Sequence, residues 1–356
     1  MGYHTKKLMI LILTVSMLSV LLCGCSESVH YADVPDQYVR TLDYHDDFVI
    51  VQLTDIHWNS STLIGNDEYG SVAYIKSVIN AIEEKFGGID LIEITGDTFC
   101  LTSPLAVNHF IDMMESIKIP YAMTWGNHDR QSTYNPNWLS KKIINAPYSL
   151  YTEVDNDDLN GRGNYVIELM ENDKPVWQIF NIDSGASYRT GAADIGLEYD
   201  FVRQDQIDWF DEMHKNAGSD VPVMCYYHIP QIEFVDAFEA IEAGDPEYKS
   251  KFTKLEGISI SPYATSLNPV FVRNNVKGVF IGHDHANDWT FTNPDGITYG
   301  YGVKTTSELY SSSVNDEYDL IGASVVVLKN KTGDFDLYHL YLSDKVESPG
   351  AIWEKY

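Results

Sequence analysis

The chain has 356 residues and carries 52 Asp and Glu against 24 Lys and Arg, a formal net charge of −28. Its length suits one large domain or two ordinary ones, and a hydrophobic fraction of 44% excludes the disordered and fibrous classes. The acidic excess argues against a nucleic-acid polymer or an anionic lipid surface as main partner, because both would be repelled. Solubility explains most of this acidity, and a narrower explanation is that some carboxylates hold metal ions.

Residues 1–24 are predicted to be an export signal. A short basic segment precedes an apolar run from Leu8 to Leu22, which suits a signal peptide and is short for a membrane span. The sequence Leu22-Cys23-Gly24-Cys25 resembles the site at which bacterial lipoproteins are cleaved and lipidated, and it implies that Cys25 carries the lipid. An ordinary secretory signal is the alternative. In either case the mature protein is expected outside the cytoplasm, and a lipid would anchor it in the membrane on the cell surface or the periplasmic face.

The mature chain is predicted to be one elaborated domain. Residues 25–47 are expected to be a polar tether, residues 48–345 the folded domain and residues 346–356 a C-terminal tail. Beyond the signal and the lipidated residue, the chain retains Cys100 and Cys225, too few for a disulfide scaffold.

The first third of the domain predicts alternating strands and helices. Apolar, β-rich runs predict strands over Phe48–Leu53, Leu91–Thr95 and Tyr121–Trp125. Apolar residues at helical spacing predict helices over Ser71–Phe86 and Leu105–Ile117. This alternation is typical of a parallel or mixed sheet, whose ligand sites lie beyond the carboxyl ends of the strands.

The rest of the domain is less regular. Two polar segments, 131–164 and 231–275, are expected to be surface excursions that select the substrate. Between and after them the sequence predicts a hairpin of Tyr165–Met170 with Val176–Ile182, a helix over Gln204–Lys215, strands over Val221–Tyr227 and Val276–Ile281, and antiparallel strands over Thr298–Val303, Ala323–Leu328 and Phe335–Leu340.

Five short polar clusters follow predicted strands and carry the chemistry. They are Asp55-Ile56-His57, Gly96-Asp97, Gly126-Asn127-His128-Asp129, His228 and Gly282-His283-Asp284-His285. Seven of their side chains are good metal ligands: Asp55, His57, Asp97, Asn127, His228, His283 and His285. Nitrogen and oxygen ligands without a thiolate suit one or two divalent or trivalent cations. Single clusters of this kind are common, but the ordered set is too rare to arise from composition.

The ordered clusters resemble the calcineurin-like metallophosphoesterase superfamily from about Phe48 to Leu340. The sequences Asp183-Ser184-Gly185 and Tyr227-His228-Ile229-Pro230 further resemble its subgroup related to purple acid phosphatases. The resemblance implies an α/β fold, a four-layer α/β/β/α sandwich. Two mixed sheets would pack face to face, flanked by helices, with the site at the strand ends.

The resemblance also implies roles for individual residues. Two metal ions, with iron, manganese or zinc expected, would be held by Asp55, His57 and His285 at the first position, by Asn127, His228 and His283 at the second, and by Asp97 as the bridge. His128 would face the substrate phosphate and protonate the leaving oxygen. Asp129 and Asp284 are expected to support the neighbouring histidines from behind.

One position departs from the pattern of the superfamily. Three residues after Asp97, purple acid phosphatases carry a tyrosine that binds iron, and Ser/Thr phosphatases carry an aspartate that orients the catalytic histidine. This chain has Cys100 there, which is expected to be a small buried packing residue, with a thiolate ligand as the alternative. The aromatic residues next to the ligands are expected to pack in the core rather than to line a wall for a base or sugar: Trp58, Trp125, Tyr226, Tyr227 and Trp289.

The sequence therefore predicts a metal-dependent phosphoric ester hydrolase outside the cytoplasm, acting on small-molecule phosphate esters through water activated at a dinuclear centre. A phosphomonoesterase is favoured. The alternatives are a phosphodiesterase or nucleotidase with the same site, and a lipid-anchored protein that binds metal or solute without catalysis. His128 argues against pure binding, because a binding protein has no need of a histidine that is not a ligand next to Asn127.

Overall fold

The computed structural model describes residues 38–59, 70–131, 136–153, 159–188, 198–310, 319–343 and 350–356. The predicted export signal, Cys25 and most of the predicted tether lie outside the described residues. Among the helices of the described part, none combines the length and the apolar character that crossing a bilayer requires.

The described residues form strands and helices that alternate along much of the chain. The strands are β1 (Val39–Asp43), β2 (Phe48–Leu53), β3 (Leu91–Thr95), β4 (Tyr121–Thr124), β5 (Tyr165–Glu171), β6 (Lys174–Asn181), β7 (Ser187–Tyr188), β8 (Glu198–Tyr199), β9 (Val223–Tyr226), β10 (Lys249–Lys251), β11 (Val276–Ile281), β12 (Thr290–Thr292), β13 (Thr298–Tyr301), β14 (Gly322–Leu328), β15 (Phe335–Ser343) and β16 (Gly350–Lys355). The helices are α1 (Ser71–Phe86), α2 (Pro104–Ile117), α3 (Pro136–Ile144), α4 (Gln204–Ala217), α5 (Ile232–Glu242) and α6 (Asn268–Arg273), with a 3-10 turn at His128–Arg130.

In the described part of the chain, fourteen of the sixteen strands assemble into two mixed sheets, and β7 and β8 pair antiparallel as a separate two-stranded sheet. Over the described residues, one sheet has eight strands in the order β1-β5-β6-β9-β11-β13-β12-β10, and the other has six in the order β16-β15-β14-β2-β3-β4. The strands β2, β3 and β4 are parallel neighbours, and so are β6, β9, β11 and β13. The remaining strands add antiparallel pairs at the edges, apart from β1, which pairs parallel with β5.

The two sheets pack face to face because their strands bury both faces. On β9, Met224 belongs to the core shared with the six-stranded sheet, whereas Cys225 belongs to the core on the opposite face. This alternation is the two-residue period of a strand buried on both sides. The helix α4 covers the outer face, where Phe210 lies with its ring centroid 4.0 Å from that of Phe180 on β6. The helix α1 packs on β14 and β15 of the other sheet. The implied architecture of two mixed sheets flanked by helices is confirmed.

The regular first third of the domain follows from its apolar spacing. In α1 the buried side chains Val72, Ile75, Ile79 and Ile82 recur at intervals of three and four residues, which places them on one face of the helix. The helix ends at Gly87, whose φ of 85° closes it in the left-handed conformation that glycine adopts without strain. The predicted hairpin of β5 and β6 is also confirmed.

The predicted boundaries of the domain are wrong at both ends. Residues Val39–Asp43, predicted as part of the tether, form β1 and pair with β5 in the eight-stranded sheet. Residues Gly350–Lys355, predicted as tail, form β16 and pair with β15 at the edge of the other sheet. Both are edge strands, which bury little and are held by backbone hydrogen bonds, so their sequences lack the apolar pattern of a central strand.

The predictions for two segments, 131–164 and 231–275, and for one strand in the irregular part also need correction. The segments expected as surface excursions instead contribute to the cores, because Leu139 and Ile143 of α3 and Phe234 of α5 are buried. The strand predicted over Thr298–Val303 was expected to be antiparallel. It is β13, which pairs parallel with β11 and antiparallel only with β12.

One carboxyl group is buried between the two sheets. Glu93 on β3 is fully buried, and its Oε1 atom accepts a hydrogen bond of 3.4 Å from the Asn181 side chain on β6. Burial raises the pKa of Glu93 to about 8. The folded protein therefore binds a proton at this residue between pH 4.5 and pH 8 that the unfolded chain releases, and stability falls as the pH rises through that interval.

The substitution Glu93→Gln is expected to remove this loss. At pH 8 the variant should be more stable than the wild type by about 2–4 kcal/mol, and near pH 4.5 the two proteins should be similar. Urea denaturation at several pH values measures the difference. A difference in stability that stays constant between pH 5 and pH 8 would show that Glu93 is ionised in the folded protein.

Candidate metal centre

The polar clusters lie at the carboxyl ends of parallel strands from both sheets. Asp55 follows β2, Asp97 follows β3 and Asn127 follows β4 in the six-stranded sheet. His228 follows β9 and His283 follows β11 in the eight-stranded sheet. Because the sheets pack face to face, these ends meet at one edge of the sandwich, where the sequence placed the site.

The ligand atoms form two adjacent groups. Oxygen and nitrogen atoms of Asp55, His57, Asp97 and His285 lie within 4.8 Å of one another, and so do those of Asp97, His228 and His283. Asp97 belongs to both groups, and its Oδ2 atom is 3.2 Å from Nε2 of His228. The remaining predicted ligand, Asn127, has its Oδ1 atom 3.2 Å from the same His228 nitrogen. The structure thus brings together all seven predicted ligands, with Asp97 between the two groups.

Unusual backbone conformations aim several ligands. Asp55, His57, Asp97 and His283 have φ angles of 51°, 50°, 47° and 87°, in the left-handed region that residues with a side chain rarely adopt. Each such residue costs about 1 kcal/mol or more. Neighbouring loops hold them there, since the amide of Asp55 donates to the carbonyl of Gly96 at 3.2 Å and that of His57 donates to the carbonyl of Asp97 at 2.9 Å.

The glycines of the clusters are needed for close approach. A Cβ atom on Gly126 would lie 2.2 Å from Oδ1 of Asp97, and one on Gly282 would lie 2.1 Å from Oγ1 of Thr54. A Cβ atom on Gly96 would lie 2.5 Å from the His228 ring. Each glycine therefore leaves room for a ligand or for the side chain beside a ligand.

Burial and charge set the protonation of the ligands. Burial lowers the pKa of His57 and of His283 to about 3 each, so both rings are neutral and have a free lone pair. Burial alone would raise the pKa of Asp97, but the His228 imidazolium outweighs it and keeps that carboxyl ionised. Conversely, burial opposes protonation of His228, and the carboxylates of Asp97 and Asp55 overcome it to raise its pKa to about 10.

The donor set fits metal ions. Both ring nitrogens of His283 are buried without a hydrogen-bond partner in the described part of the protein, which is costly unless a cation accepts a lone pair. The Nε2 atoms of His57 and His285 are 2.9 Å apart, so two imidazole nitrogens converge on one point. Buried carboxylates together with neutral imidazoles suit iron, manganese or zinc.

His128 lies beside the ligand groups and is accessible to a substrate. Its side chain is 28% exposed, whereas the histidine ligands are buried, and its Nε2 atom is 3.9 Å from Oδ2 of Asp97. Its backbone amide donates to Oδ1 of Asp97 at 2.7 Å, and its ring meets that of His57 edge to face. The ring is therefore fixed at the border of the centre.

Cys100 contacts His128. Its Sγ atom is 3.7 Å from Nδ1 of His128, so the thiol lies behind the ring, on the side away from the nitrogen that approaches Asp97. Cys100 is buried, as expected, and burial raises the pKa of its thiol. The candidate ligand atoms of Cys100, His57 and His128 lie within 4.8 Å of one another, so a thiolate ligand stays the alternative to packing against His128.

The two expected supporting carboxylates hold loops rather than histidines in the contacts of the described residues. Asp129 accepts hydrogen bonds of 2.7 Å from the backbone amides of Phe99 and Gly126. Asp284 accepts hydrogen bonds from the amide of Ser259 at 3.1 Å and from the hydroxyl of Tyr301 at 2.7 Å. The prediction that they support neighbouring histidines is wrong, because short carboxylates next to a turn reach backbone amides first.

A backbone carbonyl supports one of the histidines. Nδ1 of His228 donates to the carbonyl of Thr95 at 2.8 Å, which aims Nε2 at the centre. No residue pattern signals such a contact, because any amino acid supplies the carbonyl.

The sequence interpretation also missed a lysine. Lys304 is 1% exposed, its ammonium group donates to the backbone carbonyl of Asp55, and burial lowers its pKa to about 8. It follows β13, where a single lysine carries no signal of its own.

The aromatic residues at the site are different from those next to the ligands in sequence. Trp58, Trp125, Tyr226, Tyr227 and Trp289 are all buried, as expected of core residues. Two tyrosines from other segments face the centre instead. The Tyr199 ring lies 4.5 Å from that of His283, and the Tyr310 ring lies 4.3 Å from that of His285. Sequence spacing could not reveal either contact.

The fold and the site together define an α/β protein with two adjacent metal-ligand groups that share one carboxylate. A family model described as calcineurin-like phosphoesterase matches residues 48–287, which is more than half of the chain. The chain belongs to the calcineurin-like phosphoesterase family, as its clusters predicted.

Curated relatives include proteins with several names. The chain is 26% identical over 280 residues to "Phosphatase DCR2" of Saccharomyces cerevisiae, which covers 72% of this chain and 47% of the yeast protein. It is 26% identical over 285 residues to "Probable inactive purple acid phosphatase 29" of Arabidopsis thaliana, with 68% of each chain covered. It is 24% identical over 218 residues to a "Probable cyclic nucleotide phosphodiesterase" of Psychrobacter arcticus, covering 59% of this chain and 71% of that protein.

The chain thus spans about half the length of the yeast relative. Among solved structures, a dimetal phosphatase from Danio rerio superposes with a TM-score of 0.55 at 11% identity, covering 88% of this chain and 100% of the fish protein. At this identity the likeness shows the fold.

The contact between Gly126 and Asp97 provides a test of the centre. The substitution Gly126→Ala should displace the Asp97 carboxylate and lower metal retention by about tenfold or more, because the added methyl group has no room. Elemental analysis after dialysis measures retention. The control is Gly88→Ala, where a Cβ atom meets nothing within 4 Å. Equal metal content in both variants, each folded by circular dichroism, would contradict the role of Asp97.

Proposed function

We propose that the protein is an extracytoplasmic phosphatase that hydrolyses monoesters of phosphate with small-molecule alcohols. The observation that carries this proposal is the position of His128. Its ring is partly exposed, and its Nε2 atom is 3.9 Å from the shared carboxylate of Asp97. It lies outside the two groups that share Asp97, although its ring also lies within 4.8 Å of candidate ligand atoms of His57 and Cys100. A site for metal storage alone would not need it.

The ligands divide as the two groups suggest. Asp55, His57 and His285 would hold one ion and Asn127, His228 and His283 the other, with Asp97 between them. When bound, two such ions supply Lewis acidity that lowers the pKa of water and neutralises charge on the phosphate. This neutralisation matters here because the chain carries a net charge of −28 and would otherwise repel an anionic ester.

In this proposal, His128 acts as the general acid. Cys100 contacts Nδ1, so Nε2 is the nitrogen directed towards the ligand groups and a bound phosphate. A proton on Nε2 would pass to the oxygen of the departing alcohol, which leaves poorly as an alkoxide. The hydrogen bond from the His128 amide to Asp97 keeps the ring at a fixed distance from the centre.

Two features bear on the alternatives. Two relatives are named as probable cyclic nucleotide phosphodiesterases, which supports diester hydrolysis as the alternative activity of the same site. Several plant relatives are named as probable inactive phosphatases. The complete set of seven ligands together with His128 favours activity in this chain over binding without catalysis.

The location is proposed from the N-terminal sequence. A basic start, the apolar run Leu8–Leu22 and the lipoprotein-like site ending at Cys25 support export and a lipid anchor. Labelling with radioactive palmitate, abolished by Cys25→Ser, would support the anchor. Unlabelled protein in the medium would instead support an ordinary secretory signal.

The central experiment replaces His128 by asparagine. With manganese and 4-nitrophenyl phosphate, His128→Asn should lower kcat by about 10²–10⁴-fold while the metal content stays at the wild-type value, because His128 moves a proton and does not bind metal. The matched control is His45→Asn, an exposed histidine bonded to Asp90. Full activity of His128→Asn would contradict the role of His128 as general acid.

A comparison of substrates separates the alternative functions. Faster hydrolysis of bis(4-nitrophenyl) phosphate than of the monoester would favour a phosphodiesterase. No hydrolysis with any metal would favour a protein that binds metal or solute without catalysis.

A further inference from the structure

We infer that Tyr199 and Tyr310 bind the leaving group of the substrate, and that this group is an uncharged alcohol with an aromatic or other bulky apolar body. This inference rests on the proposed function, since it concerns the alcohol that the phosphatase releases. The two residues are called the tyrosine pair below.

The tyrosine pair borders both halves of the centre. The Tyr199 ring stands perpendicular to that of His283 with centroids 4.5 Å apart, and the Tyr310 ring lies at 31° to that of His285 with centroids 4.3 Å apart. His283 belongs to one ligand group and His285 to the other. An ester whose phosphate occupies the centre would therefore extend its alcohol past these two rings.

Both rings are available to a ligand. Tyr199 is 37% exposed and Tyr310 is 47% exposed, whereas the other aromatic residues beside the ligands are buried. Aromatic residues that are exposed next to a polar centre offer flat apolar surface at a small cost in conformational entropy. Each tyrosine ring contacts a metal-ligating histidine with one part of its surface, and the rest of the ring stays exposed.

Exposed leucines extend the apolar border. Leu101 is 72% exposed and directly follows Cys100, which contacts His128, and Leu309 is 56% exposed and directly precedes Tyr310. Both leucines have positive φ angles, of 47° and 66°. A leucine in the left-handed region is uncommon and unfavourable, so the loops hold these apolar side chains outward against a backbone cost. Exposed apolar residues gathered around a polar centre are typical of a ligand-binding border.

The charges around the tyrosine pair disfavour an anionic leaving group. The Tyr310 hydroxyl donates to Glu256 at 3.0 Å, and Glu308, two residues before Tyr310, accepts a hydrogen bond from Asn59 at 3.0 Å. Among the described residues of these segments, Lys304 donates to the carbonyl of Asp55, and Arg203 pairs with Asp200. A second phosphate or a carboxylate on the alcohol would thus meet two carboxylates, whereas an apolar body would meet two rings.

The experiment compares two esters that differ mainly in the apolar body of the alcohol. Hydrolysis of 2-phenylethyl phosphate and of ethyl phosphate by the manganese-loaded protein gives a ratio of kcat/KM values, and both leaving groups are simple primary alcohols. The wild type should prefer the phenylethyl ester by about tenfold, the size expected for one or two aromatic contacts. Tyr199→Ala and Tyr310→Ala should each reduce the ratio by about 2- to 10-fold, the range expected for loss of one aromatic contact.

Matched variants separate binding from damage to the centre. Tyr199→Phe and Tyr310→Phe keep the rings and should keep the ratio. Val272→Ala is the control, because Val272 is 50% exposed on α6, which precedes β11, whereas the ligands follow the other end of that strand. Because the readout is a ratio, a change in metal content of Tyr310→Ala affects both esters alike.

The outcomes are distinct. A wild-type ratio near one, or a ratio unchanged in both alanine variants, overturns the inference and leaves the phosphatase assignment standing. No hydrolysis of either ester by the metal-loaded wild type overturns the proposed function and the inference with it. A raised ratio that falls in the alanine variants and persists in the phenylalanine variants supports both.

Discussion

The structure depends on burying several charges of both signs at one point. The Asp97 carboxylate is 1% exposed and lies within reach of ligands from both sheets. Alone it would be expelled or protonated, since an isolated buried charge is very costly. His228 keeps it ionised in the protein alone, and metal ions would take over that role when bound. The loops around Asp97 are therefore built so that groups of opposite charge surround it.

The fold brings these charged groups together at a cost in backbone strain. Parallel strands from two sheets end at the same edge, and sharp turns after them carry ligands in left-handed backbone conformations. Glycines beside those turns let Asp97 and His228 approach the backbone more closely than any residue with a Cβ atom would allow. Strained turns of this kind persist because the strands behind them bury two apolar cores. The predicted metal ligands Asp55, His57, Asp97 and His283 thus lie at positions whose backbone conformation is unfavourable for a residue with a side chain.

Much of the fold and most of the centre could be predicted from sequence because the signals are local. The spacing of Val72, Ile75 and Ile79 reveals α1, and a ligand type directly after each central strand reveals the centre. Signals that depend on distant contacts could not be found. The edge strands β1 and β16 are stabilised by backbone pairing, the Cys100–His128 contact joins separate loops, and Tyr199 and Tyr310 reach the centre from segments with no motif.

The proposed function requires that Asp97 join two metal positions into one dinuclear centre. Electron paramagnetic resonance of the protein loaded with two equivalents of manganese tests it most directly. Two ions that share one carboxylate would be magnetically coupled, so the loaded wild type should give the spectrum of a spin-coupled Mn²⁺ pair. The coupled spectrum should disappear in Asp97→Ala. A six-line spectrum of isolated, uncoupled Mn²⁺ in the wild type at full occupancy would contradict a shared role of Asp97.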